Sequence, residues 1–318
     1  MIARGEDRFA TDPRGQPRVS VVIPTIGRRE LRAAVDSILR QSVVPHEIVV
    51  VNDSPEQHSV TAGLGVDVVE VFTGGGHGPS MARNRGVERA QGELIAYLDD
   101  DDWWFPHHIA SALHTLELHP ELDLYSCTVF QAHPDRLELD SKVIYRGRED
   151  VIDFFFGRAC WAQRRRSIAP STWVFRRETC DLPMDETVGH HEDMWWLFNL
   201  EKRKKVIRQY ATPGGVKFEH PPGAAGRHNV RRKPEELIHW AQLMESLRKG
   251  AGQHFIIGVM GRDYARKGMR DEWAELMGCI PREWRISADY RLVRAIEKRS
   301  MRRQRNREGE APPQIQAA

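Results

Sequence analysis

The run Glu93-Leu-Ile-Ala-Tyr-Leu-Asp-Asp-Asp-Asp-Trp-Trp104 changes character in a single step. Leu94 through Leu98 are continuously apolar, which predicts a strand buried on both faces of a parallel sheet rather than one with a wet side. Four adjacent carboxylates cannot prolong such a strand, because each unpaired buried charge would cost several kcal/mol. The strand therefore ends at Leu98 and Asp99, Asp100, Asp101 and Asp102 stand at its carboxyl edge. That edge is where open α/β sheets bind ligands, and carboxylate oxygens suit hard cations. A divalent metal carrying phosphates is the favoured partner, although water alone would serve if the run were an exposed loop.

Working outward, Val19-Ser-Val-Val-Ile-Pro24 is a second continuous, β-branched strand, and Glu47-Ile-Val-Val-Val-Asn-Asp53 a third. Between them, 28–41 places Leu31, Ala34, Val35, Ile38 and Leu39 on one helical face. This is a βαβ unit, whose strands should lie parallel with a right-handed crossover. A weaker strand over 67–72 leads into Thr73-Gly-Gly-Gly-His-Gly78, and Pro79 fits the first turn of a helix that Gly92 can close. Beyond the acidic run, Pro106 opens a helix with Ile109, Ala112, Leu113 and Leu116 on its apolar face, and 123–130 reads as a strand. Further on, 151–160 and 192–204 read as helices and 171–176 as a strand. The run 216–220 returns to the sheet, 221–227 is a loop, and 235–248 and 288–303 are helices.

The 318 residues, 40% hydrophobic and 29% charged, are those of a soluble globular chain. No stretch approaches the roughly 18 apolar residues of a membrane helix, and Met1-Ile-Ala-Arg-Gly-Glu-Asp-Arg8 lacks a signal-peptide core, so a cytoplasmic location is expected. Cys127, Cys160, Cys180 and Cys279 lie far apart and read as reduced thiols. The net charge is only +2, but 291–307 holds eight basic residues and one acidic one. A solvated helix running into a disordered tail is favoured there over a nucleic-acid or membrane contact.

Five stretches in this order resemble the family 2 glycosyltransferases of the GT-A fold. They are Val-Ser-Val-Val-Ile-Pro-Thr25, Val-Val-Asn-Asp53, Ala-Arg-Asn-Arg-Gly86, Leu-Asp-Asp-Asp-Asp102 with Trp103, and Glu192-Asp193. Each is short, but each stands at an element end and together they span about 19–227. The resemblance implies a Rossmann-like α/β domain with a mostly parallel central sheet flanked by helices. Its expected limits are 18–230, with a nucleotide-sugar half over about 18–130 and an acceptor half over about 131–230. A polar leader (1–17), a helical C-terminal extension (231–305) and a tail (306–318) complete the chain.

The resemblance further implies inverting transfer from a nucleoside-diphosphate sugar, a UDP-sugar or dTDP-sugar, to a hydroxyl of a small-molecule or glycan acceptor. The departing diphosphate gathers negative charge, which a Mg or Mn ion held by carboxylates neutralises. By resemblance Asp101 is the principal metal ligand and Asp99 serves both metal and ribose. His220 is a further metal or diphosphate ligand, with His228 as its competitor. Nucleotide contacts fall to Pro24, Thr25, Asp53 (toward uracil), Arg83, Asp99 and Asp100. Asp193 is the general base that takes the acceptor proton, and Glu192 supports the acceptor site.

Several of these residues would also suit simpler roles. Acidic residues at a helix start gain from the helix dipole without catalytic duty. Of Trp103, Trp104, Trp173, Trp195 and Trp196, at most two are expected to touch a sugar, since most buried tryptophans are core. A nucleotidyltransferase acting on sugar phosphates also uses metal-bound phosphates, yet Pro24-Thr-Ile-Gly-Arg-Arg29 has too few glycines for its usual signature. A non-catalytic sugar-nucleotide or nucleic-acid binding protein is the remaining alternative.

Overall fold

The β-branched run of β1 (Val19–Thr25) is buried along nearly its whole length, and it is an interior strand of a seven-stranded sheet. The computed structural model describes residues 17–56, 58–133, 135–156, 166–188, 191–218, 233–260, 264, 269–285 and 291. In chain order the other strands are β2 (Glu47–Asn52), β3 (Val69–Phe72), β4 (Leu94–Tyr97), β5 (Asp102–Trp104) and β6 (Leu124–Cys127). They are followed by β7 (Phe130–Ala132), β8 (Leu137–Leu139), β9 (Val174–Arg176), β10 (Ile207–Tyr210) and β11 (Gly215–Phe218). The helices are α1 (Leu31–Leu39), α2 (Pro79–Arg89), α3 (His108–Leu118), α4 (Val151–Phe156), α5 (Glu192–Lys202) and α6 (Pro234–Leu247), with shorter helical segments after Gly250.

The large sheet has the order β10-β6-β9-β4-β1-β2-β3. β1 runs parallel to β2 and β4, and β2 to β3, as the βαβ reading requires. β9 is the exception, running antiparallel to both β4 and β6. This insertion brings the turn Pro170–Thr172, just ahead of β9, to the carboxyl end of β4 where the acidic run begins. Strands buried on both faces need apolar cover on each side. Leu31, Ala34, Val35 and Ile38 of α1 join Val21, Ile23, Val50 and Ala96 in one core cluster, which extends to Ile109, Ala112 and Leu116 of α3.

α2 lies close against the sheet because Gly86 permits it. A Cβ on Gly86 would stand 2.2 Å from Val22 Cγ1 and 3.1 Å from Val51 Cγ2. Arg83, nearly one turn earlier on the same side, is thereby held over the end of the sheet.

The stretch 123–130, expected as one strand, is two. β6 joins the large sheet, whereas β7 belongs to a second sheet of order β5-β11-β7-β8. The chain turns between them because Thr128 N bonds Tyr210 O while Asp140 Oδ1 accepts from Val129 N, so each side of the break follows a different partner. β11 likewise returns to this smaller sheet, antiparallel to β5 and parallel to β7.

The chain divides into two compact units, Met1–Val151 with Arg164–Pro221, and Ile152–Gln163 with Pro222–Ala318. The sequence predicts a single acceptor half over all of 131–230. The structure instead groups 152–163 with the C-terminal helices, because Phe156 is an aromatic core residue there. Its ring meets Trp240 at 5.7 Å and Phe255 at 5.8 Å, both edge-on, and its carbonyl accepts from His254. The expected helix at 288–303 and the loop at 221–227 lie outside the described residues. Among the described residues no helix is long and apolar enough to cross a membrane.

Candidate active site

β4 ends at Tyr97, and Leu98, fully buried, leads directly into the acidic run. The four aspartates then separate by environment. One carboxylate oxygen from each of Asp99, Asp101 and Asp102 lies within 4.8 Å of the other two. Asp100 is withdrawn from this group and 1% exposed. It accepts from Thr25 Oγ1 at 2.6 Å and from Arg28 Nη1 at 2.5 Å. Arg28 also reaches Asp101 at 3.3 Å. Thr25, the last residue of β1, thus spends its hydroxyl on Asp100, and Pro24 precedes it within the strand.

Asp99 has a partner of its own. Arg83 Nη2 donates to its Oδ1 at 2.7 Å, while Arg83 Nη1 donates to Glu192 Oε1 at 3.3 Å. The buried guanidinium also lies over the Tyr97 ring, 5.7 Å from its centroid. Burial alone would raise the Asp99 carboxyl, but Arg83 and then Lys217 outweigh it and hold the group below its usual range. Arg83 stays charged for the reciprocal reason: Asp99 and Glu192 more than offset its burial.

Asp102 is placed differently. It is the first residue of β5, accepts from Ser171 Oγ, and accepts from Phe218 N at 3.3 Å. Burial pushes its carboxyl up to about 8 against the pull of Lys217, with Asp101 and Asp99 adding repulsion. For Asp100 burial dominates in the same way, and Arg28 only partly counters it, leaving the carboxyl at about 6. Within the cluster, Asp99 is held ionised while the buried Asp102 resists ionisation, and a divalent cation would supply the charge that Asp102 lacks. Its donors are three hard carboxylate oxygens, the set that Mg or Mn prefers.

Glu192 and Asp193 open α5, approached through His191 in a left-handed conformation (φ 58°). Glu192 turns toward Arg83, and burial followed by the adjacent Asp193 charge raises its carboxyl. Asp193 is half-buried, and its carboxylate makes no ion pair or hydrogen bond with a described residue. Its charge nonetheless acts on Arg83 and on Lys217, which places it beside the acidic group.

Asp53 follows β2 at the same edge. Its carboxylate accepts from Thr73 Oγ1, from His77 N at 2.9 Å and from Gly78 N at 2.7 Å. It thereby ties the glycine-rich loop to the start of α2. Gly75 in that loop has φ 93°, and a Cβ there would sit 2.8 Å from Ser54 O, so only glycine fits. The uracil contact expected of Asp53 would use what remains of its acceptor capacity. His220, His228 and His190 lie outside the described residues.

Three residues of this site escape sequence reasoning. Arg28 holds Asp100, Ser171 holds Asp102, and Lys217 stands across β5 and β11 from Asp102. A lone lysine between the apolar Val216 and Phe218 is the available signal. Of the tryptophans, Trp104, Trp173 and Trp196 are core residues, while Trp103 is 43% exposed and packs on Phe218 at 4.5 Å.

Residues 20–181, half of the chain, match the family described as Glycosyl transferase family 2. The uncharacterized glycosyltransferase YwdF of Bacillus subtilis (strain 168) is 35% identical over 105 residues, 31% of this chain and 38% of that protein. The putative glycosyltransferase EpsH of the same organism is 24% identical over 213 residues, 62% of this chain and 59% of its own length. The chain thus spans less than two thirds of either relative. Among solved structures, S. aureus TarS 1-349 in complex with UDP-GlcNAc superposes with a TM-score of 0.57 at 16% identity, covering 93% of each chain. That likeness is one of fold, a GT-A architecture with a mostly parallel central sheet.

Proposed function

The chain belongs to glycosyl transferase family 2, and from that premise we propose that it is a metal-dependent inverting transferase. It moves a sugar from a nucleoside diphosphate, UDP by preference, to an acceptor hydroxyl. One observation carries the reading. Asp99, Asp101 and Asp102 share one oxygen cluster, and Arg83 links Asp99 directly to Glu192 of the distant Glu192-Asp193 pair. Family membership is what favours sugar transfer over the nucleotidyltransferase and binding-protein alternatives. The similar fold of TarS, solved with UDP-GlcNAc, supports a uridine nucleotide.

When bound, a Mg or Mn ion held by Asp99, Asp101 and Asp102 would supply the positive charge that eases departure of the diphosphate. The chain's own residues do the rest. Arg83 fixes Asp99 and keeps it ionised for binding. Arg28 and Thr25 lock Asp100, and with it the turn that presents Asp101 and Asp102. Asp53 holds the glycine-rich rim around the base-binding end. Asp193 accepts the proton of the acceptor hydroxyl as that oxygen bonds the anomeric carbon and the sugar–phosphate bond breaks. Attack from the side opposite the leaving group inverts the anomeric centre.

A panel of UDP-, dTDP- and GDP-sugars, screened by thermal stabilisation with Mn, with Mg and with chelator, tests this reading. At least one nucleotide sugar should stabilise the chain only with metal, and transfer from it should give a product of inverted configuration by NMR. Stabilisation by none of them, or equal stabilisation with chelator, overturns it.

A further inference from the structure

β11 carries one charged side chain, Lys217, and its register sets that residue directly across from Asp102 on β5. Cross-strand partners share a face of the sheet, so the ammonium projects on the same side as the acidic cluster. The carboxylates that act on it are, in order, Asp102, Asp99, Asp101 and Asp193. These are the three members of the oxygen cluster and the proposed base, so the Lys217 charge faces both groups of acids. Yet its Nζ makes no hydrogen bond, and no ion pair within 4.0 Å, with any described residue.

The two carboxylates that act on it most strongly already have other partners. Asp99 is held by Arg83, and Asp102 by Ser171 and the Phe218 amide. Lys217 therefore retains its three N–H donors while sitting half-buried, where its charge is little screened. A lysine whose only duty was to offset these acids would be expected to pair with one of them. An ammonium held among them with its donors unspent is suited to an anion that arrives at the same place.

We propose that Lys217 is a diphosphate-positioning residue, whose ammonium donates to the outer, sugar-bearing phosphate of the bound nucleotide. The inference rests on the transferase reading and deepens it. As the sugar–phosphate bond breaks, its electron pair passes to that phosphate's oxygen, and a cation already in place stabilises the gain without reorganising. Lysine suits a phosphate as a compact point charge on a fixed strand.

The test compares nucleotides that differ by the outer phosphate alone. Affinities of the full chain for UDP and UMP, and for the dTDP/dTMP and GDP/GMP pairs, are measured by calorimetry with Mn and with chelator. The proteins are the unaltered chain, Lys217→Met and Lys217→Arg. Lys217→Met should weaken the preferred diphosphate at least tenfold and its monophosphate less than twofold, and Lys217→Arg should recover most of the loss. If Lys217→Met does not fold, Lys217→Gln carries the same comparison. Equal weakening of both nucleotides, or of neither, overturns the assignment and leaves the transferase reading standing. Failure of the unaltered chain to bind any diphosphate overturns both.

Discussion

Arg83 and Asp99 form a 2.7 Å ion pair in which the arginine side chain is 4% exposed and the aspartate 22%. The second guanidinium nitrogen reaches Glu192, so a single side chain of α2 joins the end of β4 to the start of α5. Removing one partner of such a buried pair leaves uncompensated charge, which is worse than never having had the pair. Arg83→Met should therefore lose roughly 3 kcal/mol of stability in a denaturant titration. Arg83→Lys should lose less, because it keeps the charge but not the two-pronged geometry. A loss for Arg83→Met no larger than that of an exposed substitution such as Arg85→Met would refute the linking role.

Asp193 is assigned the proton transfer and no part in holding the donor. Asp193→Asn should lower the transfer rate by roughly 10²- to 10⁴-fold, the usual contribution of a general base. Donor affinity measured by calorimetry should stay nearly constant. A matching drop in donor affinity would show that Asp193 shapes the nucleotide site instead.

Asp102 gives the proposed metal site a pH dependence with a definite sign. Burial raises its carboxyl from the ordinary 3.8 to about 8, so the folded chain holds this proton more tightly than the unfolded one. The stability it contributes is fully present below pH 3.8 and is lost as pH rises through about 8. A metal ion needs the ionised form, so Mn binding should release protons at pH 7 and tighten as pH approaches 8. Calorimetry in buffers of differing ionisation enthalpy counts the released protons. Asp102→Asn should flatten this profile, and it should stabilise the metal-free protein at pH 9.

The close seat of α2 depends on a missing methyl group. Gly86→Ala would place Cβ 2.2 Å from Val22 Cγ1, within van der Waals overlap. Overpacking of this kind costs about 1–3 kcal/mol. Thermal melting should show the loss, and displacement of Arg83 should weaken nucleotide binding as well. A melting temperature equal to that of the unaltered chain would mean that α2 can shift without cost.

Much of the fold was legible in local pattern. Val19–Thr25, Glu47–Asn52 and Leu94–Tyr97 are continuous apolar runs ending in polar residues, and such runs have few stable alternatives to the interior of a parallel sheet. The periodicity of α1 and the Pro79 start of α2 were equally local. The division of 123–130 between two sheets was not, since Leu124–Cys127 and Phe130–Ala132 both have strand composition and only their distant partners differ. Nor was the antiparallel entry of β9 between β4 and β6.

The same distinction runs through the site. By itself the sequence determined that four carboxylates must leave the sheet after Leu98, because charge of one sign cannot be buried along a strand without compensation. Which of them face a common point was decided by tertiary structure. Thr25 and Arg28 draw Asp100 aside, Arg83 aligns Asp99, and Ser171 with Lys217 flanks Asp102. Those partners lie 16 residues away for Arg83 and as far as 115 for Lys217 against Asp102 (217 − 102). Electrostatic preference acts through space rather than along sequence, so four identical side chains acquire different protonation and different duties only once the fold has chosen their neighbours.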